Sequence, residues 1–361
     1  MAINDRREAG FPYSGESYSG DSHSGDSLVS SIVRRFLGDC GPVGLSRINQ
    51  GLSGGRVFRC ETARGVFALK QWPPGTPAER VDLVHEVQRK VGSIVPFLPE
   101  LQPCLVEPAT RVTIQGLHFE LSTWRPGSPF EPTATDGPVS VQASRQASEA
   151  LGRGAAAIAR FHQASDTLAR ETLAGATLPG DTFGCVSGIA PAVTRRLQRL
   201  ETLKALVPIA LKQRGGTSAS LMLARKMLAE QWRLLHEQSE RRLRPWLARP
   251  VPISWVLRDV HREHVLFKDG EVSGIVDFDA LNRDTVATDL ARWVGSFAEL
   301  RAFPEGRATA ELWSFVIAQY NGCRAISPCE QELAGAIEEA SWYIQLANWV
   351  VWTADKDREI P

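Results

Sequence analysis

The densest cluster of polar residues in this 361-residue chain lies in Leu257-Arg-Asp-Val-His-Arg-Glu-His-Val-Leu-Phe267, which is followed by Glu271-Val-Ser-Gly-Ile-Val-Asp-Phe-Asp279. Both segments contain short apolar runs typical of strands, and Lys268-Asp-Gly270 between them is typical of a tight turn. The predicted hairpin brings Asp259 and Asp277 to one point. Phosphoryl transfer requires such a pair, because one carboxylate orients the acceptor hydroxyl and accepts its proton while a second ligates Mg²⁺ across the nucleotide phosphates.

A lysine in the first third of the chain gives a second signal. Only seven of the 41 basic residues are lysines, and Lys70 ends the apolar run Val66-Phe-Ala-Leu69 in a predicted strand. The glycine turn Gly51-Leu-Ser-Gly-Gly55 precedes that strand, and its backbone N–H groups can approach phosphate oxygens closely. Glycines mark any tight hairpin, so the turn gains its meaning from the lysine downstream. Together they favour a nucleotide-phosphate site.

The pattern of the chain predicts two lobes of different composition. Residues 1–25 contain a Ser/Gly/Asp repeat that is too polar to be buried, and we expect a disordered tail there. Residues 26–127 alternate strand and helix patterns and form a small N-lobe that holds the glycine turn and Lys70. Residues 128–361 form a mostly helical C-lobe, in which one irregular β segment carries the catalytic and metal-binding loops. The expected fold class is α+β, with a ligand cleft between the lobes.

Composition excludes several other classes of protein. The 41 basic residues balance 41 acidic ones, so the basic surface expected of a nucleic-acid or anionic-membrane binder is absent. No run approaches the ~20 apolar residues that span a bilayer, and the polar start predicts no signal peptide. The six cysteines form no C-x-x-C pair, which favours reduced thiols in a cytoplasmic protein.

Taken together, these motifs resemble the aminoglycoside phosphotransferase and choline kinase group, relatives of the protein kinases. Asp259-x-x-x-x-His264 followed by Asp277-Phe-Asp279 is similar to the H-G-D-x-H-x-x-N and I-D-F/W motifs of that group. The resemblance covers roughly residues 45–355. It implies a protein kinase-like two-lobed fold and an ATP-dependent phosphotransferase that acts on a hydroxyl of a small molecule, with Mg²⁺, or Mn²⁺, as the metal.

The resemblance also implies roles for individual residues. Asp259 becomes the catalytic base, Asp277 the principal metal ligand, and Asp289 a buried acceptor for backbone N–H groups of the catalytic loop. Lys70 grips the α- and β-phosphates, and Glu86, more than Glu79, is expected to hold it in position. The remaining predicted nucleotide contacts come from the glycine turn and from the interlobe hinge, and they are Gly51, Ser53, Gly54, Gly55, Ser122 and Trp124.

The chain departs from the family motif at three positions. Leu257 and Arg258 replace the usual His and Gly, and His264 replaces the Asn that normally ligates metal. Mg²⁺ prefers oxygen ligands, whereas imidazole suits softer ions. His264 therefore either ligates an ion such as Mn²⁺, or bonds a metal-bound water, or leaves the second metal site incomplete.

Two other functions fit some of these residues. A nucleotide-binding pseudokinase that acts through partners would explain the His264 substitution. A metal-dependent hydrolase could use Asp259, His261, His264 and Asp277 as ligands, but it would leave Lys70 unexplained, and a structural role within the loop is the simpler expectation for His261. For the acceptor, Glu338, Glu339 and the tryptophans of the last helix are candidates, although core packing explains the Trp stripe better.

Overall fold

The computed structural model describes residues 22–48, 54–131, 141–175, 186–213, 218–297 and 310–354. Two regions of different architecture follow each other along the chain, a sheet with two helices and then a mostly helical region. The predicted α+β, kinase-like two-lobed class is confirmed. None of the helices in these ranges carries an apolar stretch of the length needed to cross a membrane.

The N-lobe is built on one five-stranded antiparallel sheet with the order β1-β2-β3-β5-β4. Its strands are β1 (Gly44–Ile48), β2 (Arg56–Thr62), β3 (Gly65–Gln71), β4 (Val112–Ile114) and β5 (Leu117–Thr123). Helix α1 (Ser22–Leu37) precedes the sheet, and helix α2 (Ala78–Gly92) connects β3 to β4. Strand β3 alternates buried and half-buried side chains, so Phe67, Leu69 and Gln71 point into the lobe while Lys70 lies on the opposite face.

The start of α1 differs from the sequence prediction. The helix begins at Ser22 rather than at Leu28, so residues 22–25 belong to it, and the rest of the predicted tail lies outside the described residues. Serine and glycine are tolerated at helix starts because the first turn leaves its N–H groups free for side chains or water. The apolar period that marks a helix begins only where α1 first packs against the sheet, at Val29, Ile32 and Val33.

Six helices make up most of the described C-lobe. They are α3 (Val141–Gly175), α4 (Pro191–Lys212), α5 (Ala219–Leu243), α6 (Ala287–Gly295), α7 (Ala310–Asn321) and α8 (Pro328–Ala354). Short 3₁₀ turns occupy Arg244–Leu247 and Arg262–His264. The long helices pack on one another through alanine, leucine and aromatic side chains that are almost all buried.

Short strands between these helices carry the polar loops. One sheet has the order β10-β9-β6 and another β11-β8-β7. The strands are β6 (Ser128–Pro129), β7 (Val186–Gly188), β8 (Val251–Val256), β9 (Val265–Lys268), β10 (Glu271–Ile275) and β11 (Asn282–Asp284). Strands β9 and β10 pair antiparallel, which confirms the hairpin predicted from the sequence. The loops that leave β8 and β10 hold Asp259 and Asp277.

Helix α6 anchors these loops to the long helix α3. Trp293 of α6 is fully buried and donates an indole N–H bond of 2.8 Å to the carbonyl of Leu151. Its ring lies directly against Gly154 of α3, where a Cβ atom would overlap the indole carbons. The close approach of the two helices therefore requires a residue without a side chain at position 154.

Gly154→Ala is expected to lower the free energy of unfolding by roughly 1–3 kcal/mol, because the added methyl overpacks the Trp293 contact. Gly335→Ala in α8 is the matched control, since a Cβ there meets no heavy atom within 4 Å. The control should be neutral or gain up to about 1 kcal/mol from the better helix former. Urea denaturation of both variants checks this, and equal stabilities would contradict the packing described here.

Candidate active site

Lys70 from the N-lobe sheet meets two carboxylates of the C-lobe. Its Nζ lies 2.8 Å from Oδ1 of Asp277 and 2.7 Å from Oδ1 of Asp279. Lys70 and Asp277 are 207 residues apart in the chain, so only the tertiary fold brings them together. The convergence of the strand lysine and the downstream carboxylate, which the sequence predicts, is present in the structure.

The electrostatics of this cluster follow from burial and pairing. Burial disfavours the charged ammonium of Lys70, but attraction by Asp277 and Asp279 outweighs it and raises the lysine pKa above its ordinary value. Burial would raise the pKa of Asp277, yet Lys70 and His264 hold it well below its usual range. For Asp279 burial prevails, and its pKa is raised. Of the two carboxylates, Asp277 is therefore the one whose charged form the site favours.

Two residues at this corner have unusual backbone angles. Arg258 has φ of 67° and Asp277 has φ of 64°, a left-handed conformation that costs a non-glycine residue energy. Such strain persists where the surrounding structure imposes it, and it is concentrated at functional sites. Each strained residue lies in one of the two loops that the sequence marks for chemistry.

A buried aspartate holds the first of these loops. Asp289 of α6 accepts backbone N–H bonds from Leu257 at 2.7 Å and from Arg258 at 2.6 Å. Its Oδ2 also lies 2.9 Å from Nε2 of His162, which belongs to α3, and the side chains of Asp289 and His162 are both fully buried. This geometry agrees with the scaffold role that the sequence predicts for Asp289.

Asp259 stands at the exposed side of the same corner and is paired with an arginine. Nε of Arg292 donates to Oδ1 of Asp259 at 2.9 Å. The sequence alone does not predict this contact. Arg292 lies on α6, 33 positions after Asp259, so only the packing of α6 brings the two residues together. This contact holds the half-exposed carboxylate of Asp259 against α6.

His261 and His264 lie next to Asp259 in a tight group. Their ring centroids are 3.9 Å apart, and Nδ1 of His264 lies 2.8 Å from the backbone carbonyl of Asp259. One ligand-type atom from each of Asp259, His261 and His264 falls within 4.8 Å of the others. Nε2 of His264 is 3.6 Å from Oδ2 of Asp277. His264 therefore lies between the loop of Asp259 and the loop of Asp277, and it stands at the position where the family motif has Asn.

The prediction that Glu86 holds Lys70 is corrected by the structure. Glu86 forms a half-buried i, i+4 ion pair with Lys90 at 2.8 Å, and no ion pair within 4 Å joins it to Lys70. The neighbouring residue of α2, His85, points into the lobe instead and is buried. The reason is the rotation of the helix, since His85 shares the buried face with Val81, Val84 and Gln88.

The glycine turn and the hinge are described in part. Gly54 has φ of 76°, which favours glycine, and Gly55 is buried, while Gly51 and Ser53 lie outside the described residues. Ser122 is buried in β5 opposite Ala68. The backbone N–H of Trp124 donates to the carbonyl of Val66 at 3.1 Å, so that amide is engaged in the sheet. The guanidinium of Arg59 lies over the Trp124 ring at 5.4 Å.

The candidate acceptor residues of the last helix take different positions. Glu338 is buried, and Glu339 pairs with Arg242 at 3.3 Å. Trp342 and Trp349 pack against the C-lobe core, as the core-packing interpretation of this stripe predicts. This face of α8 therefore serves the fold.

Comparison with known proteins identifies the family of the chain. Residues 44–326 match the phosphotransferase enzyme family (APH), and the chain belongs to that family. Membership makes it a small-molecule phosphotransferase at the level of its class. No protein with a curated function matches the chain.

Solved structures share its fold at low sequence identity. An aminoglycoside phosphotransferase from Alicyclobacillus acidocaldarius is 13% identical, with 90% of this chain and 94% of that chain covered and a TM-score of 0.52. A macrolide 2′-phosphotransferase from Brachybacterium faecium is 16% identical, with coverages of 93% and 99% and a TM-score of 0.50. A spectinomycin phosphotransferase solved with ADP and spectinomycin is 11% identical, with coverages of 91% and 85% and a TM-score of 0.52.

The ionisation of His261 gives a testable pH dependence. Burial, the adjacent His264 and Arg292 lower the pKa of His261 to about 4 in the folded chain, below its ordinary value of about 6.5. The unfolded chain therefore binds this proton more readily, and the free energy of unfolding falls as the pH drops through that interval. His261→Gln removes the effect. Between about pH 7 and about pH 5 the wild type should lose more stability than the variant in urea titrations, and parallel losses would contradict this environment.

Proposed function

We propose that this protein transfers the γ-phosphoryl group of ATP to a hydroxyl of a small molecule. The observation that carries the proposal is the meeting of Lys70 with Asp277 and Asp279 across the two lobes. A buried lysine beside a carboxylate that can bind metal matches what nucleotide phosphates require, namely a cation for the phosphate oxygens and an oxygen ligand for their metal. Membership in the phosphotransferase enzyme family supports the same chemistry.

The residues present fit a divalent metal at this corner. Beyond the Lys70 contact, the two buried oxygens of Asp279 have no hydrogen-bond partner within the described residues, and Asp277 is ionised. Carboxylate oxygens of this kind are the ligands that Mg²⁺ prefers, and His264, 3.6 Å from Asp277, adds a nitrogen that favours Mn²⁺. The ion, when bound, neutralises charge on the β- and γ-phosphates.

Different groups of the chain have different roles in the proposed phosphoryl transfer. Asp259 accepts the proton of the acceptor hydroxyl, and Arg292 keeps its carboxylate pointing at that hydroxyl. The ammonium of Lys70 binds phosphate oxygens, and the backbone N–H groups of the glycine turn that ends at Gly55 close over them. Asp289 keeps the loop of Asp259 in register with the loop of Asp277. Most of the rate gain comes from this positioning and from charge stabilisation.

The alternatives differ in which groups they need. A nucleotide-binding pseudokinase is favoured by His264 in place of Asn, and it requires that ATP binds without turnover. A metal-dependent hydrolase is favoured by the close grouping of Asp259, His261 and His264, and it requires a tightly bound transition metal without nucleotide. Family membership and the Lys70 ion pair favour phosphotransfer over both.

Two substitutions distinguish these candidate functions. Asp277→Ala removes the principal metal ligand, so MgATP and MnATP should raise the melting temperature of the wild type but hardly that of the variant. Asp259→Asn keeps the nucleotide site, so it should bind MgATP as the wild type does while its slow ATP hydrolysis falls by a factor of about 10²–10⁴. Thermal shift and phosphate release measure the two effects.

Asp269→Asn in the exposed β9–β10 turn is the matched control for loss of a carboxylate in this region, and it should behave as the wild type. The absence of any nucleotide-dependent shift in the wild type, with either metal, would rule out the kinase and the pseudokinase together. Binding without turnover in the wild type would identify the pseudokinase.

A further inference from the structure

Lys70 needs a group that keeps it in position when its partners in this structure are used for another purpose. In the structure, the ammonium is neutralised by Asp277 and Asp279, the same carboxylates that the proposed function assigns to a metal. When these carboxylates bind a metal ion instead, the phosphate oxygens become the partners of Lys70, and a fixed carboxylate near the lysine would hold its ammonium in position for them. Protein kinases meet this need with a glutamate on the helix that follows the lysine strand. Here the corresponding helix α2 directs Glu86 outward to Lys90.

A carboxylate on the neighbouring strand stands in the required place. Glu120 of β5 is directly opposite Lys70 of β3 in the antiparallel register. Side chains of directly opposed residues lie on the same face of a sheet, with Cβ atoms about 4.5–5.5 Å apart. Glu120 is buried, and burial would raise its pKa, but the hydrogen bond and charge of His85 and the charge of Lys70 lower it overall. Glu120 is thus a carboxylate whose charged form is favoured and whose side chain lies on the same sheet face as Lys70, although no ion pair within 4 Å joins the two described residues.

Glu120 is also held by groups that come from two other elements. Nε2 of His85, on α2, lies 2.7 Å from Oε2 of Glu120, and Nε1 of Trp72 donates to the same oxygen at 2.6 Å. Nδ1 of His85 lies 2.7 Å from Oγ1 of Thr110, so both ring nitrogens have a partner. Lys70 itself lies over the Trp72 ring, with its Nζ 5.3 Å from the centroid. Glu120, His85 and Trp72 are buried, and the side chain of Lys70 is only 13% exposed.

We propose that Glu120 of β5 is the counter-ion that positions Lys70 for the nucleotide, and that His85 links this carboxylate to helix α2. The proposal rests on the proposed function and names the residues that regulate the geometry of its phosphate site. Glu120 and His85 are positioning residues, because they act on the nucleotide through Lys70. Helix α2 has a second tie to the site, since Arg80 donates to the backbone carbonyl of Asp279 at 2.7 Å.

In this arrangement strand β5 supplies the carboxylate that a helix supplies in protein kinases. A rotation or shift of α2 breaks the His85–Glu120 bond rather than a direct ion pair with the lysine. Lys70 then keeps a carboxylate neighbour on its own sheet, but that carboxylate loses one of its two buried donors. Nucleotide affinity should therefore depend on the hydrogen-bond donors to Glu120 as well as on its charge.

The test compares MgATP binding by full-length variants, measured by titration calorimetry, with phosphate release for KM and kcat. Glu120→Gln is expected to raise the dissociation constant and the KM for ATP about tenfold, while His85→Gln raises them severalfold. Trp72→Phe keeps an aromatic ring but removes the indole N–H that donates to Glu120, and it should raise both constants by a smaller factor. Asp82→Asn on the exposed face of α2, where Asp82 pairs with Arg111, is the matched control and should bind MgATP as the wild type does.

A purely structural role would lower the melting temperature of the nucleotide-free variants and leave the dissociation constant unchanged, and that result overturns the proposal. An equal loss of affinity in Glu86→Gln also overturns it. If Glu120→Gln does not fold, the dissociation constants of His85→Gln and Trp72→Phe for MgATP test the proposal, and unchanged values in both overturn it. Failure of the wild type to bind MgATP would contradict the proposed function itself, whereas normal binding by all variants contradicts only this inference.

Discussion

The ion pair between Lys70 and the carboxylates of Asp277 and Asp279 is the interaction on which the rest of the site depends. It joins a strand of the N-lobe to a loop of the C-lobe, and it is the point where buried charge has to be balanced. A buried ammonium without partners would be expelled or neutralised, so the two lobes can approach only with these groups in register. Asp277 has a left-handed backbone at this point, and Asp289 holds the neighbouring loop of Asp259 through the backbone N–H groups of Leu257 and Arg258.

The wider fold supplies the rigidity that this pairing needs. Asp289 is fixed by His162 of α3, and α6 is fixed to α3 by the contact of Trp293 with Gly154. Catalytic loops held in this way by buried helices keep their geometry when a substrate arrives, which is what positioning catalysis requires. Asp259, which is half exposed and paired with Arg292, lies at the solvent side of this scaffold.

The sequence allowed much of this site to be predicted, because its key residues lie at the ends of strands with clear apolar patterns. Lys70 and Asp277 each follow such a run, and Asp259 lies a fixed step before His264. The position of Asp289 came from its resemblance to a family motif. Arg292 could not be placed, since its contact with Asp259 depends on how α6 packs.

Glu86 shows a different limit of sequence reasoning. Resemblance to kinases directs attention to a glutamate on α2, but the helical period places His85 on the same face as Val81 and Val84, and that face is buried. The period was a usable signal for His85. The partner of His85 was not predictable, because Glu120 is brought to it only by the pairing of β3 with β5.

The most direct test of the central claim is affinity labelling with an acyl-phosphate derivative of ATP, which acylates a lysine held against the phosphates. The chain has seven lysines, so peptide mass spectrometry can report the label at each one. The account predicts that Lys70 is the main labelled residue and that an excess of MgATP protects it. Equal labelling of the exposed lysines, with Lys70 unlabelled or unprotected, would contradict it.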